Sequence, residues 1–140
     1  GAAAPPEPPP PPPPVEAPFE AVAVDAAGTR HPLDAEGETP IPSDVHFELS
    51  SPIAFRTLRV RILDARDRLV PSDDVISIGQ GTRVRIEPTA ALEENGTYQL
   101  RIDAPTGIGP VDIEGREYLP RTIRFSVLAP EEGGGGAGSR

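Results

Sequence analysis

The chain has 140 residues, no Cys, Met, Trp or Lys, and 13 Arg against 22 acidic side chains, for a formal charge of −9. Without cysteine there is no disulfide framework and no thiolate metal site, and the acidic balance argues against general nucleic-acid binding. No run approaches the roughly 18 apolar residues of a membrane span, and the length suits one domain with loose ends.

Residues 1–18, "GAAAPPEPPPPPPPVEAP", hold nine of the 20 prolines within Pro5–Pro14. Proline fixes φ and lacks an N–H, so this stretch predicts a disordered polyproline II stalk, roughly 30 Å long at ~3.1 Å per residue. Its reading is a spacer; acting as a ligand for a proline-recognition module would require a partner domain. A small-residue opening before a Pro-rich stalk suits an exported chain whose signal has been removed.

From Phe19 onward the pattern is alternation of period two, the mark of half-buried strands. "FEAVAVD" (Phe19–Asp25) is a strand candidate, followed by a Gly-, Pro- and acid-rich excursion through Pro42. "DVHFELS" sets Val45, Phe47 and Leu49 on one face, and "TLRVRIL" does the same with Leu58, Val60 and Ile62. "DVISI" is short, while "TRVRIEP" turns Val84 and Ile86 inward. "TAALEEN" allows one helical turn. "TYQLRID" then buries Tyr98, Leu100 and Ile102, and "RTIRFSV" buries Ile123, Phe125 and Val127. Pro and Gly punctuate these runs. The expectation is an all-β, antiparallel Ig-like β-sandwich of about seven strands over residues 19–129, followed by a flexible Gly-rich tail, 130–140.

The stretch "LEENGTYQL" carries the sharpest local signal. In Ig-like sandwiches a Tyr near the start of strand F returns its hydroxyl to the backbone just upstream, and the residue two further on points into the core. Leu92, Gly96, Tyr98 and Leu100 match that corner, with Leu100 where antibody domains carry a Cys. Asn95-Gly96-Thr97 is also formally a glycosylation sequon, but turn chemistry suffices, since Asn and Gly both tolerate positive φ.

Four pieces in order, Phe47–Pro52, Ile86–Tyr98, Asp112–Gly115 and Ile123–Phe125, resemble the bacterial Ig-like domain repeated in S-layer and other surface proteins. The resemblance covers about residues 40–127. Its departures are Leu49 between Phe47 and the Ser pair, and a longer "DAPTGIGPVDIEG" connection. The resemblance implies that the strands near 57–63, 97–103 and 121–127 form one sheet. Arg59, Arg61, Gln99, Arg101 and Arg124 would then face outward as a candidate partner-binding face. Guanidiniums so arranged suit carboxylates or phosphates of a protein or an anionic envelope polymer; the plainer reading is a solvated face with Arg stems over apolar surface. On the other sheet, Arg83 and Arg85 would lie beside His46 and Glu48, where cross-strand pairing needs no ligand.

Periplasmic copper-resistance proteins share a similar pattern, with His ligands near the N-terminus and in the loop before the last strand. Here that loop, "PVDIEGREYLP", has none. His31 and His46 read as isolated surface histidines, so no metal site and no cofactor is expected. "SDD" (Ser72–Asp74) and "DARD" (Asp64–Asp67) read as solvated turns rather than Ca²⁺ loops. No Gly-x-Ser-x-Gly elbow supports a hydrolase.

The expected function is that of a non-enzymatic Ig-like module of the periplasm, outer envelope or cell exterior, acting as a spacer or as a protein- or polymer-binding domain. A lipid anchor ahead of Gly1 is compatible with it. The alternatives are a periplasmic small-ligand or metal-binding protein, and an accessory domain of a larger secreted enzyme. Fold analogy carries most of this, and sandwiches host many functions.

Overall fold

The computed structural model describes residues 4–6, 8–10, 12–33, 40–106 and 108–129, so the expected tail from 130 lies outside the described residues. Among the described residues ten strands follow in order: β1 (Glu20–Asp25), β2 (Arg30–Pro32), β3 (Val45–Ser51), β4 (Phe55–Thr57), β5 (Arg59–Asp64), β6 (Ser72–Ile78), β7 (Thr82–Pro88), β8 (Thr97–Asp103), β9 (Val111–Asp112) and β10 (Arg121–Ser126). The additions to the seven expected strands are β2, β4 and β9, of two or three residues each and too short for alternation to announce them. No helix occurs among the described residues, and "TAALEEN" is a loop.

The architecture is an antiparallel β-sandwich. One sheet has the order β2-β1-β3-β7-β6 and the other β10-β8-β5, while β4 and β9 pair separately. Alternation explains the packing. Phe47 and Leu49 of β3 and Val84 and Ile86 of β7 are buried on one side of the core. Val60 and Ile62 of β5, Leu100 and Ile102 of β8, and Ile123 and Phe125 of β10 are buried on the other. Each such side chain contributes about 1.5–3 kcal/mol when fully buried. The Phe47 and Phe125 rings, one from each sheet, meet with centroids 4.9 Å apart.

A single turn chemistry recurs three times. In D-A-A-G-T (Asp25–Thr29), D-A-R-D-R (Asp64–Arg68) and D-I-E-G-R (Asp112–Arg116), the Asp Oδ1 accepts the N–H groups two and four residues on, at 2.8–2.9 Å. The fourth residue takes positive φ each time: Gly28 at 86°, Asp67 at 61° and Gly115 at 91°. A short carboxylate thus satisfies turn donors that no strand partner reaches. Oδ2 is then free for a side chain: His31 at 2.9 Å, Arg68 at 3.0 Å and the Tyr118 hydroxyl at 3.1 Å.

The corner at the start of β8 has the geometry its sequence suggests. The Tyr98 hydroxyl accepts the Glu93 N–H at 2.9 Å, with Leu92 and Leu100 buried on either side. Asn95, not Gly96, adopts the left-handed conformation, with φ 65°. Gly96 is required by space: a Cβ there would lie 2.8 Å from the Tyr98 ring and 2.9 Å from the Glu93 carbonyl oxygen.

Two poles follow from the register. Glu20 lies beside Ser50 and Asp25 beside Val45, while Arg121 lies beside Ile102 and Ser126 beside Thr97. Arg121 also donates to the Phe19 carbonyl at 3.0 Å, so β1 and β10 start at the same end. At the far pole Asn95 N–H donates to the Val127 carbonyl, and Ile41 pairs in parallel with Val127. The folded body starts earlier than the expected Phe19. Leu119 N–H donates to the Val15 carbonyl at 2.8 Å, and Ala17 is wholly buried in the core cluster. Val15 and Ala17 therefore pair or pack with the sandwich.

Tyr98→Phe leaves the Glu93 N–H without its acceptor and is expected to lose about 1–3 kcal/mol. Gly96→Ala should lose more, since the ring and the carbonyl must both move. Urea midpoints at constant m-value measure both. A second expectation concerns acid. Hydrogen bonding to His31 holds Asp25 below the usual carboxylate range, and the Arg68 N–H does so for Asp64. Burial pushes Asp112 up, but the Arg116 and Glu114 N–H groups and the Tyr118 hydroxyl outweigh it and leave it low. Folded values below unfolded ones mean stability that is present at neutral pH and lost as pH falls through the unfolded range toward the folded values, between about pH 5 and pH 2. Thermal melts over that range should drop steeply. They should drop less in the Asp25→Asn, Asp64→Asn, Asp112→Asn triple variant, whose side chains still accept but do not titrate.

Candidate functional site

The outer face of β10-β8-β5 carries the row of arginines. Register places Arg61 directly opposite Arg101, and Arg59 opposite Asp103. Gln99 lies between Leu63 on β5 and Arg124 on β10, and Thr122 stands beside Arg101. Like charges directly opposite in an antiparallel pair are destabilising. The Arg61–Arg101 pairing therefore demands a counter-ion.

Asp103 supplies it. Arg59 grips it through two bonds, Nε to Oδ1 at 2.9 Å and Nη2 to Oδ2 at 3.1 Å. Arg61 Nη2 reaches Oδ2 at 2.9 Å, and Arg101 Nε stands 3.7 Å from the same oxygen. The side chain of Asp103 is 2 % exposed although it lies on the outer face, because the three arginine stems cover it. Burial pushes its carboxyl up, but the hydrogen bonds and charges of Arg59 and Arg61 prevail and hold it below the usual range. In return, Asp103 raises Arg59. The arginines expected as free guanidiniums are thus largely committed to an internal carboxylate.

The commitment is incomplete. Three guanidiniums share one carboxylate, and the Arg61 Nε is buried without a hydrogen-bond partner. Arg101 Nη1 also donates to the Thr122 hydroxyl at 3.1 Å, and Gln99 donates to Asp67 at 2.6 Å. Arg124 forms no ion pair among the described residues and stands exposed beside Gln99. The face keeps a net positive charge on an acidic protein. Sequence reasoning missed Asp103, although it lies two residues beyond Arg101 on the same alternating face.

The other outer face is balanced. Glu48 pairs with Arg30 at 3.0 Å and with His46 Nε2 at 3.0 Å, and Arg85 with Glu87 at 3.4 Å. Hydrogen bonding to His46, then to Arg30, lowers the Glu48 carboxyl. Arg85 does lie opposite Glu48 in register, but its ion pair runs along its own strand. Neither histidine is isolated as expected, since His31 pairs with Asp25. No group of three or more metal-ligating side chains occurs among the described residues. Asp73 and Asp74 lie within β6, not in a turn. A concavity of about 1150 Å³ lies at the pole where β1 starts and is lined by Phe19, Ser50, Gln80, Arg83 and Arg121, but by none of Arg59, Arg61, Arg101 and Arg124.

Comparison with known proteins returned no matching family model, no matching curated protein and no matching solved structure.

Asp103→Ala leaves the opposed arginines without their shared counter-ion and is expected to lose about 2–4 kcal/mol, while Arg124→Ala should change stability by less than about 0.5 kcal/mol. Denaturant titration of both variants, with and without high salt, checks this. Salt should rescue part of the Asp103→Ala loss by screening the half-exposed guanidiniums.

Proposed function

We propose that this chain is a non-enzymatic Ig-like module of a cell-envelope or surface protein, working in series as a spacer. The observation that supports it most is that the chain enters the sandwich at one pole and leaves at the other. β1 and β10 both run from the first pole to the second. The segment from Leu119, beside Glu16, to Leu128 crosses the whole body, about 30 Å at ~3.3 Å per residue. A domain with adjacent termini adds almost nothing to the reach of a chain; one with opposed termini adds its full length. A proline-rich segment ahead of the entry pole adds to that reach, since proline favours stiff, extended backbone.

Terminal pairing suits a load along that axis. Val15 and Ala17 bond to Leu119, and Ile41 bonds to Ser126 and Leu128, both as parallel bridges. Tension between the ends then acts along these bridges rather than peeling one strand from an edge.

A second reading, recognition of an anionic protein or polymer through Arg59, Arg61, Arg101 and Arg124, is favoured by the three guanidiniums sharing Asp103. It is compatible with the first, because a spacer's side face remains free.

Single-molecule pulling by the two ends tests the spacer reading. The module should hold and then open in one step, lengthening by about 370 Å, which is the roughly 400 Å contour of residues 15–128 at ~3.5 Å per residue less the ~30 Å folded span. Gradual extension without a discrete step would exclude a load-bearing role. For the second reading, envelope-extract partners captured by the native domain should be lost on changing the four arginines to Ala and at high salt, with folding checked by circular dichroism.

A further inference from the structure

Of the two sheet margins in the larger sheet, β2 is three residues long and ends in Pro32, which has no N–H to offer. β6 is different. It is seven residues long, it is the last strand of its sheet, and among the described residues only β7 pairs with it. Its free edge presents backbone donors and acceptors in an extended array, with Val75 64 % and Ile78 47 % exposed. Such an edge is a template for an added strand unless something guards it.

The guard is Asp74. Register places Asp74, Ile76 and Ile78 opposite Ile86, Val84 and Thr82, all buried, so these three β6 side chains lie on the core-side face. Ile76 packs against the core, whereas Asp74 is exposed at the sheet margin. A strand laid beyond β6 would cover the Asp74 carboxylate. Covering it without a cation is costly; covering it with one across the pair is not.

Self-pairing fails this condition. In an antiparallel pairing of two copies about Val75 or Ile76, Asp74 falls opposite Ile76, Ser77 or Ile78, never opposite a cation. The chain's own proline run fails too, because it lacks N–H groups.

We infer that β6 is a strand-addition site for an extended segment of another protein, with Arg or Lys opposite Asp74 and β-branched residues opposite Val75, Ile76 and Ile78. The backbone supplies affinity, and Asp74 supplies selection by rejecting any segment without the cation. This site is independent of the arginine row, which lies on the other sheet.

The test uses the full chain and two capped peptides, Thr-Ile-Thr-Val-Val-Arg-Thr and the same sequence with Glu for Arg. Fluorescence anisotropy should show the Arg peptide binding at least about tenfold more tightly, and Asp74→Lys should reverse the order. Asp74 is exposed, and circular dichroism would verify that the variant folds. Amide exchange should slow in Ser72–Ile78 when the Arg peptide is bound. Equal affinities, no binding, an unchanged order in Asp74→Lys, or protection elsewhere would overturn the proposal. Protection of β6 that grows with protein concentration alone would replace it with self-association.

Discussion

The hydrogen bond from the Glu93 N–H to the Tyr98 hydroxyl fixes the point from which half the sandwich is aligned. β8 is the central strand of its sheet, and Tyr98 is the first of its residues with partners on both sides, Asp64 on β5 and Phe125 on β10. A slip of one residue at this corner would turn Leu100 and Ile102 outward and bring Arg101 into the core. The phenol prevents that by joining two requirements in one side chain. Its ring must stack near Phe125, and its hydroxyl must find a partner, which only the backbone just upstream supplies. Gly96 is the consequence, because no larger residue leaves room for the ring.

The other end of β8 is secured by a different interaction. Asp103 closes the strand with a carboxylate that three arginines cover. Apolar packing there would hold the strand as well, and an ion cluster is weak evidence of stability in itself. What the cluster adds is direction: in the native register Arg59 stands opposite Asp103 and Arg61 lies two residues along, so that both reach its carboxylate. Tyr98 and Asp103 therefore set the same register from the two ends of one strand.

Most of the architecture could be read from alternation, since six of the seven long strands bury one face and the sequence records which; β6, at the sheet margin, buries neither. Turn chemistry was legible in part. The Asp-Gly spacing of D-I-E-G-R was visible, but its identity with D-A-R-D-R was hidden by Asp67 standing where Gly stands elsewhere, a substitution that the left-handed region permits to Asp. The short strands β4 and β9 could not be seen, because their pairing depends on the Tyr118–Asp112 bond and the Phe55 ring rather than on local pattern. Alternation put Arg59, Arg61, Arg101 and Arg124 at outward positions of three strands, and the pairing β10-β8-β5 sets them on one sheet, but their counter-ion was not legible. Alternation assigns a face to each side chain but does not weigh what the opposite strand brings to it, and here it brings Asp103.

Charge placement follows one physical logic across the molecule. Where cations oppose each other, a buried carboxylate lies between them; where the outer face of the larger sheet is free, acids and bases alternate and cancel. Two places depart from the balance, the row ending in Arg124 and the edge at Asp73 and Asp74. The first has surplus cations on a flat sheet, the second surplus anions on an edge strand that pairs on one side, with β7. Because they lie on different sheets, a partner at one leaves the other open, and neither blocks the poles by which the chain enters and leaves.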